Sequence, residues 1–370
     1  MKTRDAVLHY QRTCKDTESV PIDLDIVEPI SAIEFEVEGT NGATSNEDNF
    51  ISDIVTKVEV VDGSDVLTSL NMSQLEALQF YKTGKTPCLF PSEWAGGGQR
   101  HNVSLLFGRY LWDPLFGLDT TRYKNPQLKV TFNKAAIRAA GDTGFATGDN
   151  LKLTAIAKVF EQGARPTKFL MQKQIDSFTS AASGEKRIDL PVDYTYHMLM
   201  LRLWKEGSDI DEVISDAKMT LDTDRFIPFN RKVKQLDAAA FAQFGLAKFK
   251  HDFFRGGSFT ARTLTNKEPW VTGFVKTPAT PRVIVPWAQW SSTYNGELYD
   301  LAGALDGTAR QITAIEQGHA LHATLPILFG RPDVPEDWFD PMAYKKAELV
   351  LTQATADATC EIVVEQVRTQ

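Results

Sequence analysis

Along residues 33–38, Ile33, Phe35 and Val37 alternate with Glu34, Glu36 and Glu38. A period of two places the apolar set on one face and the carboxylates on the other, which predicts a strand with one wet side. Two β-rich runs return in ISDIVTKVEVVDGSDVLTSL (51–70), flanking Asp62-Gly63. Both positions of that dipeptide tolerate positive φ, so a tight hairpin is expected. In LNMSQLEALQFYKTG (70–84) the spacing becomes helical. Ser73 is placed to cap this helix, Glu76 to complete a capping box, and Leu75, Leu78 and Phe80 to supply its apolar face. LKVTF (128–132) and LKLTAIAKVF (151–160) read as strands around a Gly-rich loop, GDTGFATGDN (141–150).

The second half offers the same parts in the same order. HMLMLRLW (197–204) is a strand, and ISDAKMTLDTDRFIPF (214–229) is hairpin-like. LDAAAFAQFG (236–245) is a short helix with Asp237 as its cap. AELVLTQ (347–353) and CEIVVEQV (360–367) are strands. The tetrapeptide LFGR occurs once in each half, ending at Arg109 and Arg331. Ile51-Ser52-Asp53 and Ile214-Ser215-Asp216 match at an offset of 163, whereas the two arginines are 222 apart. Two tandem copies fit these offsets, with 59 extra residues in the second copy, within 245–322. The division expected is an N-terminal arm (1–20), a first domain (21–162), a linker (163–187) and a second domain (188–370). The Gly-, Pro- and Ser-containing linker carries a short helix at 169–178 in this reading. Many short strands and few helices point to packed-sheet domains, either sandwiches or jelly rolls.

Bulk properties narrow the classes. The 370 residues suit two domains, and 42% hydrophobic with 24% charged residues is an ordinary globular balance. A net charge of -8 argues against a surface that coats nucleic acid, so no direct nucleic-acid binding is expected. Cys14, Cys88 and Cys360 are too few and too scattered for a disulfide framework or a zinc site, which suits a reducing compartment. The N-terminus lacks the apolar core of a secretory signal, and no stretch approaches a membrane span.

Candidate chemistry is sparse. His319 and His322 stand near each other with Glu316 a turn earlier, but Gly318 weakens the helix that would align them on a metal. Both are read as ordinary polar surface or interface residues. Nucleophile elbows, phosphate loops and dinucleotide fingerprints are absent, and no carboxylate pair stands out. NGATSNEDN (41–49) is oxygen-rich but lacks calcium-loop spacing, so a plain loop is favoured over a structural calcium site. No catalytic residue, cofactor or metal ligand is therefore assigned. The LFGR arginines have an architectural reading: each forks onto nearby carboxylates, Arg109 toward Asp113 and Asp119, Arg331 toward Asp333 and Asp340. A salt-bridged corner inside each domain is preferred to a subunit contact. The insertion holds Trp270, Trp287, Trp290 and Tyr294, residue types favoured at interfaces, and reads either as a loop packed on its own domain or as an outward or intersubunit element.

Three stretches carry a family resemblance: VEVVDGSDVLTSLNMSQLEALQFY, LLFGRYLWDPLFGLDTTRYKNPQLKVTF and LKLTAIAKVFEQGARPTKFLMQKQIDSFTSAASGEKRIDLP. With them the chain resembles the double jelly-roll major capsid proteins of icosahedral viruses with an internal membrane. Among these it looks most like those of tailless bacterial viruses of the corticovirus type. The resemblance implies an all-β chain of two tandem jelly-roll sandwiches, with short helices after the hairpins. It implies a structural virion protein, not an enzyme, made in the host cytoplasm and located in the capsid. Three copies would form a pseudo-hexagonal capsomer that tiles a shell beside neighbouring capsomers, with a separate protein at the vertices. In a shell over lipid, Lys2, Arg4, Arg12 and Lys15, with Val7, Leu8 and Tyr10, form a candidate membrane-facing arm. A frayed or subunit-clasping terminus is the competing reading. The competing function is a carbohydrate-binding or carbohydrate-active double β-sandwich with the aromatic insertion as a sugar platform.

Overall fold

The computed structural model describes residues 2–139, 144–275, 282–290, 292–300 and 302–370. The first repeat contributes β1 (Lys2–Cys14), β2 (Thr17–Asp23), β3 (Ile30–Thr40), β4 (Val55–Asp62), β5 (Asp65–Leu70), β6 (Cys88–Phe90), β7 (Gly98–Leu106), β8 (Pro126–Asn133) and β9 (Leu151–Gln162). Its helices are α1 (Ile51–Ile54), α2 (Met72–Thr83) and α3 (Lys134–Ala139). The second repeat opens with β10 (Lys168–Thr179), β11 (Glu185–Leu190), β12 (Tyr196–Trp204), α4 (Ile210–Val213), β13 (Ile214–Leu221), β14 (Phe226–Lys232) and α5 (Val233–Phe244). After α5 come β15 (Ala247–Arg255), β16 (Ser258–Arg262), β17 (Thr265–Val275), β18 (Arg282–Trp290), β19 (Thr293–Asp300) and β20 (Arg310–Leu321). Finally β21 (Thr324–Leu328), β22 (Ala347–Gln353) and β23 (Thr359–Thr369) complete the repeat.

Strand order proves the duplication. The first repeat stacks β1-β9-β3-β7, extended by β6, on β2-β8-β4-β5. The second stacks β10-β23-β12-β21 on β11-β22-β13-β14, the same order element for element. Each repeat is a jelly roll, and the alternation read from 33–38 holds: Ile33, Phe35 and Val37 are buried in the first core while Glu34, Glu36 and Glu38 stay half-exposed.

The two rolls share a sheet. β5 lies parallel to β10, with Ser69 opposite Lys173, and this contact fuses two four-stranded sheets into one of eight. The expected linker helix at 169–178 is therefore a strand. Its physical reason is burial on both faces: Phe169 and Met171 enter the first core, while Leu170 packs with Phe116 and Trp338. Such a strand shows no alternation in sequence. Residues 2–14, expected as an arm, form an edge strand paired with β9.

Two local expectations are corrected by the same geometry. Ile51-Ser52-Asp53 is the helix α1, whereas Ile214-Ser215-Asp216 opens the strand β13. Val55, which opens β4, is the true counterpart of Ile214, so the tripeptide match was out of register by four residues. The helices α2 and α5 start 161 residues apart, which makes the surplus in the second roll 61 residues rather than 59. The cap of α2 is Asn71, not Ser73: its side chain accepts from the Gln74 N–H at 2.9 Å, and Gln74 Oε1 accepts from the Asn71 N–H at 3.0 Å. Gly84, at φ 64°, ends the helix in the left-handed region. α5 begins before Asp237, which sits inside it.

The surplus residues build a small domain of their own, two three-stranded sheets, β15-β20-β17 and β16-β19-β18. Phe253, Phe259, Ala261, Val271, Tyr294 and Ile312 fill the space between them. Tyr294 is thus a core residue, not an outward contact. Trp270 is half-exposed, its indole N–H donating to Thr272 Oγ1 at 2.7 Å. Trp287 and Trp290 lie on β18, with their side chains outside the described residues.

Because β10 belongs to both rolls, loosening it should destabilise both together. Leu170→Ala is expected to cost about 2 to 5 kcal/mol, as for other buried leucines. Urea unfolding followed by fluorescence and by circular dichroism should show one shifted transition, not two.

Candidate functional site

The seam between the rolls is the most elaborately built polar surface in the molecule. α2 lies beneath the shared sheet with nearly every side chain buried. Its charged end carries Lys82, whose Nζ donates to Glu365 Oε2 at 2.7 Å. Glu365 also faces His197 Nδ1 at 2.5 Å and accepts from Gln172 Nε2 at 2.9 Å. Four residues earlier on the same face of β23, Glu361 accepts from Asn71 at 3.0 Å, Gln74 at 2.9 Å and Arg202 at 3.0 Å. At the far side Arg368 forks onto Asp65, with one contact at 3.1 Å. Glu365 and Glu361 each meet cations or amides from both rolls, so those two charges are buried yet paired, whereas Asp65 is part-exposed.

The LFGR corners lie beside this seam, but they are not alike. Arg109 is buried and grips Asp113 through Nε at 2.7 Å and Nη2 at 2.9 Å. Its remaining nitrogen, Nη1, donates to the backbone carbonyl of Asp333 at 2.6 Å, across the rolls. A Cβ on Gly108 would lie 2.7 Å from Asp113 Cβ, so this turn demands glycine for close approach. Arg331, by contrast, is largely exposed and pairs with Asp337. Neither Asp333 nor Asp340 is its partner. Asp340 accepts from the Met342 N–H at 2.9 Å, and Asp119 caps the short turn at Thr121 at 3.1 Å. One corner built twice is thus the wrong description: the first corner reaches over and clamps the loop that follows the second. Trp338 completes the contact, packing against Phe116 and the His197 ring and donating to the Arg331 carbonyl at 2.9 Å.

The small inserted domain docks on the first roll through further ion pairs. Arg262 forks onto Asp53 at 2.8 and 3.1 Å and lies over the Phe50 ring. Arg255 pairs with Glu93 at 3.0 Å and with Glu47 at 2.6 Å. In 41–49, the segment weighed for calcium, Asn41 donates to the Ser92 carbonyl at 2.6 Å and Asn46 donates to Asn41 at 3.0 Å. Among the described residues no group of three or more His, Cys, Asp or Glu side chains is placed to hold a metal. At the foot of the insertion Glu76 is shared by His101, 2.7 Å away, and His322, 2.5 Å away. His319 faces Asp237 at 3.2 Å, and His251 faces Glu316 at 3.2 Å. So His319 and His322 do not act together, and Glu316 belongs to His251. None of these partnerships had a local signal, since the partners lie up to 246 residues apart.

The four cations of the N-terminal strand are distributed differently from an open basic face. Arg4 pairs with Glu28 at 3.0 Å and Arg12 with Glu18 at 2.7 Å, while Lys2 opens β1 and Lys15 follows it. Val7 and Tyr10 are well exposed on the same strand.

Acid should unlock the seam. Burial opposes ionisation of Glu365, but Lys82 and His197 outweigh it and hold its carboxyl down at about 2. Burial likewise opposes ionisation of Glu76, and its two histidines hold that carboxyl at about 2. On Lys82 itself burial wins and pulls the ammonium down, against the pull of Glu365. A carboxyl lowered in the fold stabilises it fully above the unfolded value and loses that contribution as pH falls toward the folded one. Urea unfolding across pH should therefore show stability lost from about 4.5 down toward 2. Glu365→Gln strands the Lys82 charge, and should cost about 3 to 5 kcal/mol at pH 7 while flattening that acid slope.

No family model matches the chain, and no curated protein matches it in sequence. Its fold does match solved structures over nearly the whole length. The STIV MCP crystal structure superposes with a TM-score of 0.61 at 12% identity, covering 99% of this chain and 96% of that one. The major capsid protein P2 from bacteriophage PM2 gives 0.55 at 14% identity, covering 100% and 98%. The PBCV-1 virus capsid gives 0.56 at 11% identity, covering 99% and 93%. The chain has the double jelly-roll fold of these capsid proteins.

Proposed function

We propose that the chain is a structural virion protein, a major capsid protein whose three copies close into a pseudo-hexagonal capsomer of six jelly rolls. The seam inside the chain is the single observation that carries this reading. Following the ladders, Ser69 of β5 corresponds to Asn230 of β14, because each pairs with its roll's next strand at matched positions. In the same way Lys173 of β10 corresponds to Ala6 of β1. Inside the chain the first members of the two sets meet: β5 lies beside β10. Their counterparts β14 and β1 are sheet edges, each with one neighbouring strand among the described residues. An open edge next to exposed Phe226, Ile227, Phe241 and Tyr10 is an interface in waiting.

Setting β14 of one copy beside β1 of the next repeats the internal seam. Such a head-to-tail contact either closes into a ring or runs on as a filament. With two rolls per chain, closure after three chains gives the six-roll tile that the resemblance implies. The similar STIV, PM2 and PBCV-1 structures are capsid proteins by name, which supports the same reading. In it the protein resides in the virion shell, over an internal membrane, with neighbouring capsomers and a separate vertex protein as partners. The β1 strand, with Lys2, Arg4, Arg12 and Lys15, is assigned to the subunit seam in preference to the lipid surface. The inserted domain joins β21 at the end opposite the Arg331 corner, and its Trp270 face is assigned to the outside of the shell.

Native mass spectrometry tests the proposal directly. The expected species is three times the 41.3 kDa chain. Ile227→Asp places a charge on the outer edge of β14, where a lone chain would leave it in water, and should convert trimer to monomer. A monomeric wild-type protein at high concentration, or a variant that stays trimeric, would sink this arrangement.

A further inference from the structure

One end of the first roll holds a group of side chains with no part in the seam. The β1–β9 ladder finishes at Cys14 opposite Leu151, and the β2–β8 ladder begins at Thr17 opposite Asn133. One step beyond these pairs lie Asp16, Lys134 and Asn150, brought together from three separate chain segments. The Lys134 side chain is wholly buried, and its backbone N–H donates to the Asp16 carbonyl at 2.8 Å, which fixes the two residues face to face. Lys134 Nζ lies 2.7 Å from Asn150 Oδ1 and 2.8 Å from Asp16 Oδ1. It also reaches the carbonyls of Ala146 at 2.8 Å and Gly148 at 2.9 Å. That is four acceptors around an ammonium that has three N–H bonds to give. A buried amine held against a half-buried carboxamide and a half-buried carboxylate supplies the parts needed for amide transfer. Fixing them in contact replaces a bimolecular encounter with an intramolecular one, and the carboxylate is within reach of the proton it must move.

We propose that Lys134 and Asn150 join in an intramolecular isopeptide bond, with Asp16 carrying the proton. Asp16 first takes a proton from the Lys134 ammonium and leaves a neutral amine. Nζ then attacks Cγ of Asn150, forming the new C–N bond. Asp16 returns its proton to Nδ2, the Cγ–Nδ2 bond breaks, and ammonia departs. The second proton of Nζ passes through Asp16 to the departing ammonia, so an ammonium ion leaves and Asp16 ends as the carboxylate it began as. The exchange conserves charge and needs no oxidant or cofactor. Its product ties the end of β8 to the start of β9, a covalent staple between the two sheets of the first roll. At the matching end of the second roll, Ser180 holds the same crossing with hydrogen bonds alone, to the Thr355 carbonyl at 2.6 Å and from the Ala358 N–H at 3.0 Å.

Intact mass spectrometry of the full chain under denaturing conditions decides the matter. The expected mass is one ammonia below that of the sequence, with a branched peptide linking Lys134 to Asn150 after proteolysis. Lys134→Arg, Asn150→Ala and Asp16→Ala should each restore the full mass. The unmodified mass for the wild-type protein, or linear peptides carrying both Lys134 and Asn150, would overturn the proposal.

Discussion

Everything in this molecule depends on one strand-to-strand contact, the parallel pairing of β5 with β10. It turns two small sandwiches into a block with a common sheet. It also creates the burial that the neighbouring charges require. Glu365 and Glu361 point from β23 toward α2 of the other roll, and each is met by donors from both sides. Buried ion pairs add little net stability compared with apolar packing, but breaking one is costly. Their value here is directional: the register of roll against roll must satisfy Lys82, Gln74 and Arg109 at once.

That geometry gives the duplication its functional meaning. A chain that covers its own β5 with its own β10 has, by construction, a second edge like β5 and a second edge like β10. The covered helix α2 and the uncovered helix α5 show the difference directly. Most of α2 is buried, whereas α5 buries only Val233, Leu236 and Asp237 among its residues. Closing that difference with another copy of the chain, rather than with a different protein, requires no new interface design.

Much of this was legible in the sequence. Strands with one wet face, such as β3, announce themselves by alternation, and the hairpin at Asp62-Gly63 by its turn residues. The tandem order was legible in the order of the elements, but the offset of 163 rested on a tripeptide that the structure puts out of register. Other features had no local signature. β10 reads as linker because both faces of 169–172 are buried and its Gln172 and Gln174 bond to side chains of the other roll. The tripeptide at Ile51 and Ile214 matches letter for letter yet occupies a helix in one roll and a strand in the other. LFGR marks equivalent turns, but a motif cannot say that Arg109 will be buried and Arg331 exposed, since that depends on which roll lies alongside. The paired histidines were invisible for the same reason: Glu76 on α2 meets His101 from β7 and His322 from the turn before β21, 25 and 246 residues away.

In the proposed capsomer, the seam inside the chain is repeated between chains. A disulfide trap tests it most directly. Cysteines replacing Ala6 and Asn230 stand at the positions that correspond to Lys173 and Ser69, the one described residue pair at which β10 meets β5. Under mild oxidation the doubly substituted protein should run as covalent trimers on a denaturing gel, and each single variant should not. Failure of the double variant to cross-link while the protein remains trimeric would contradict the account, because the subunits would then meet through some other surface.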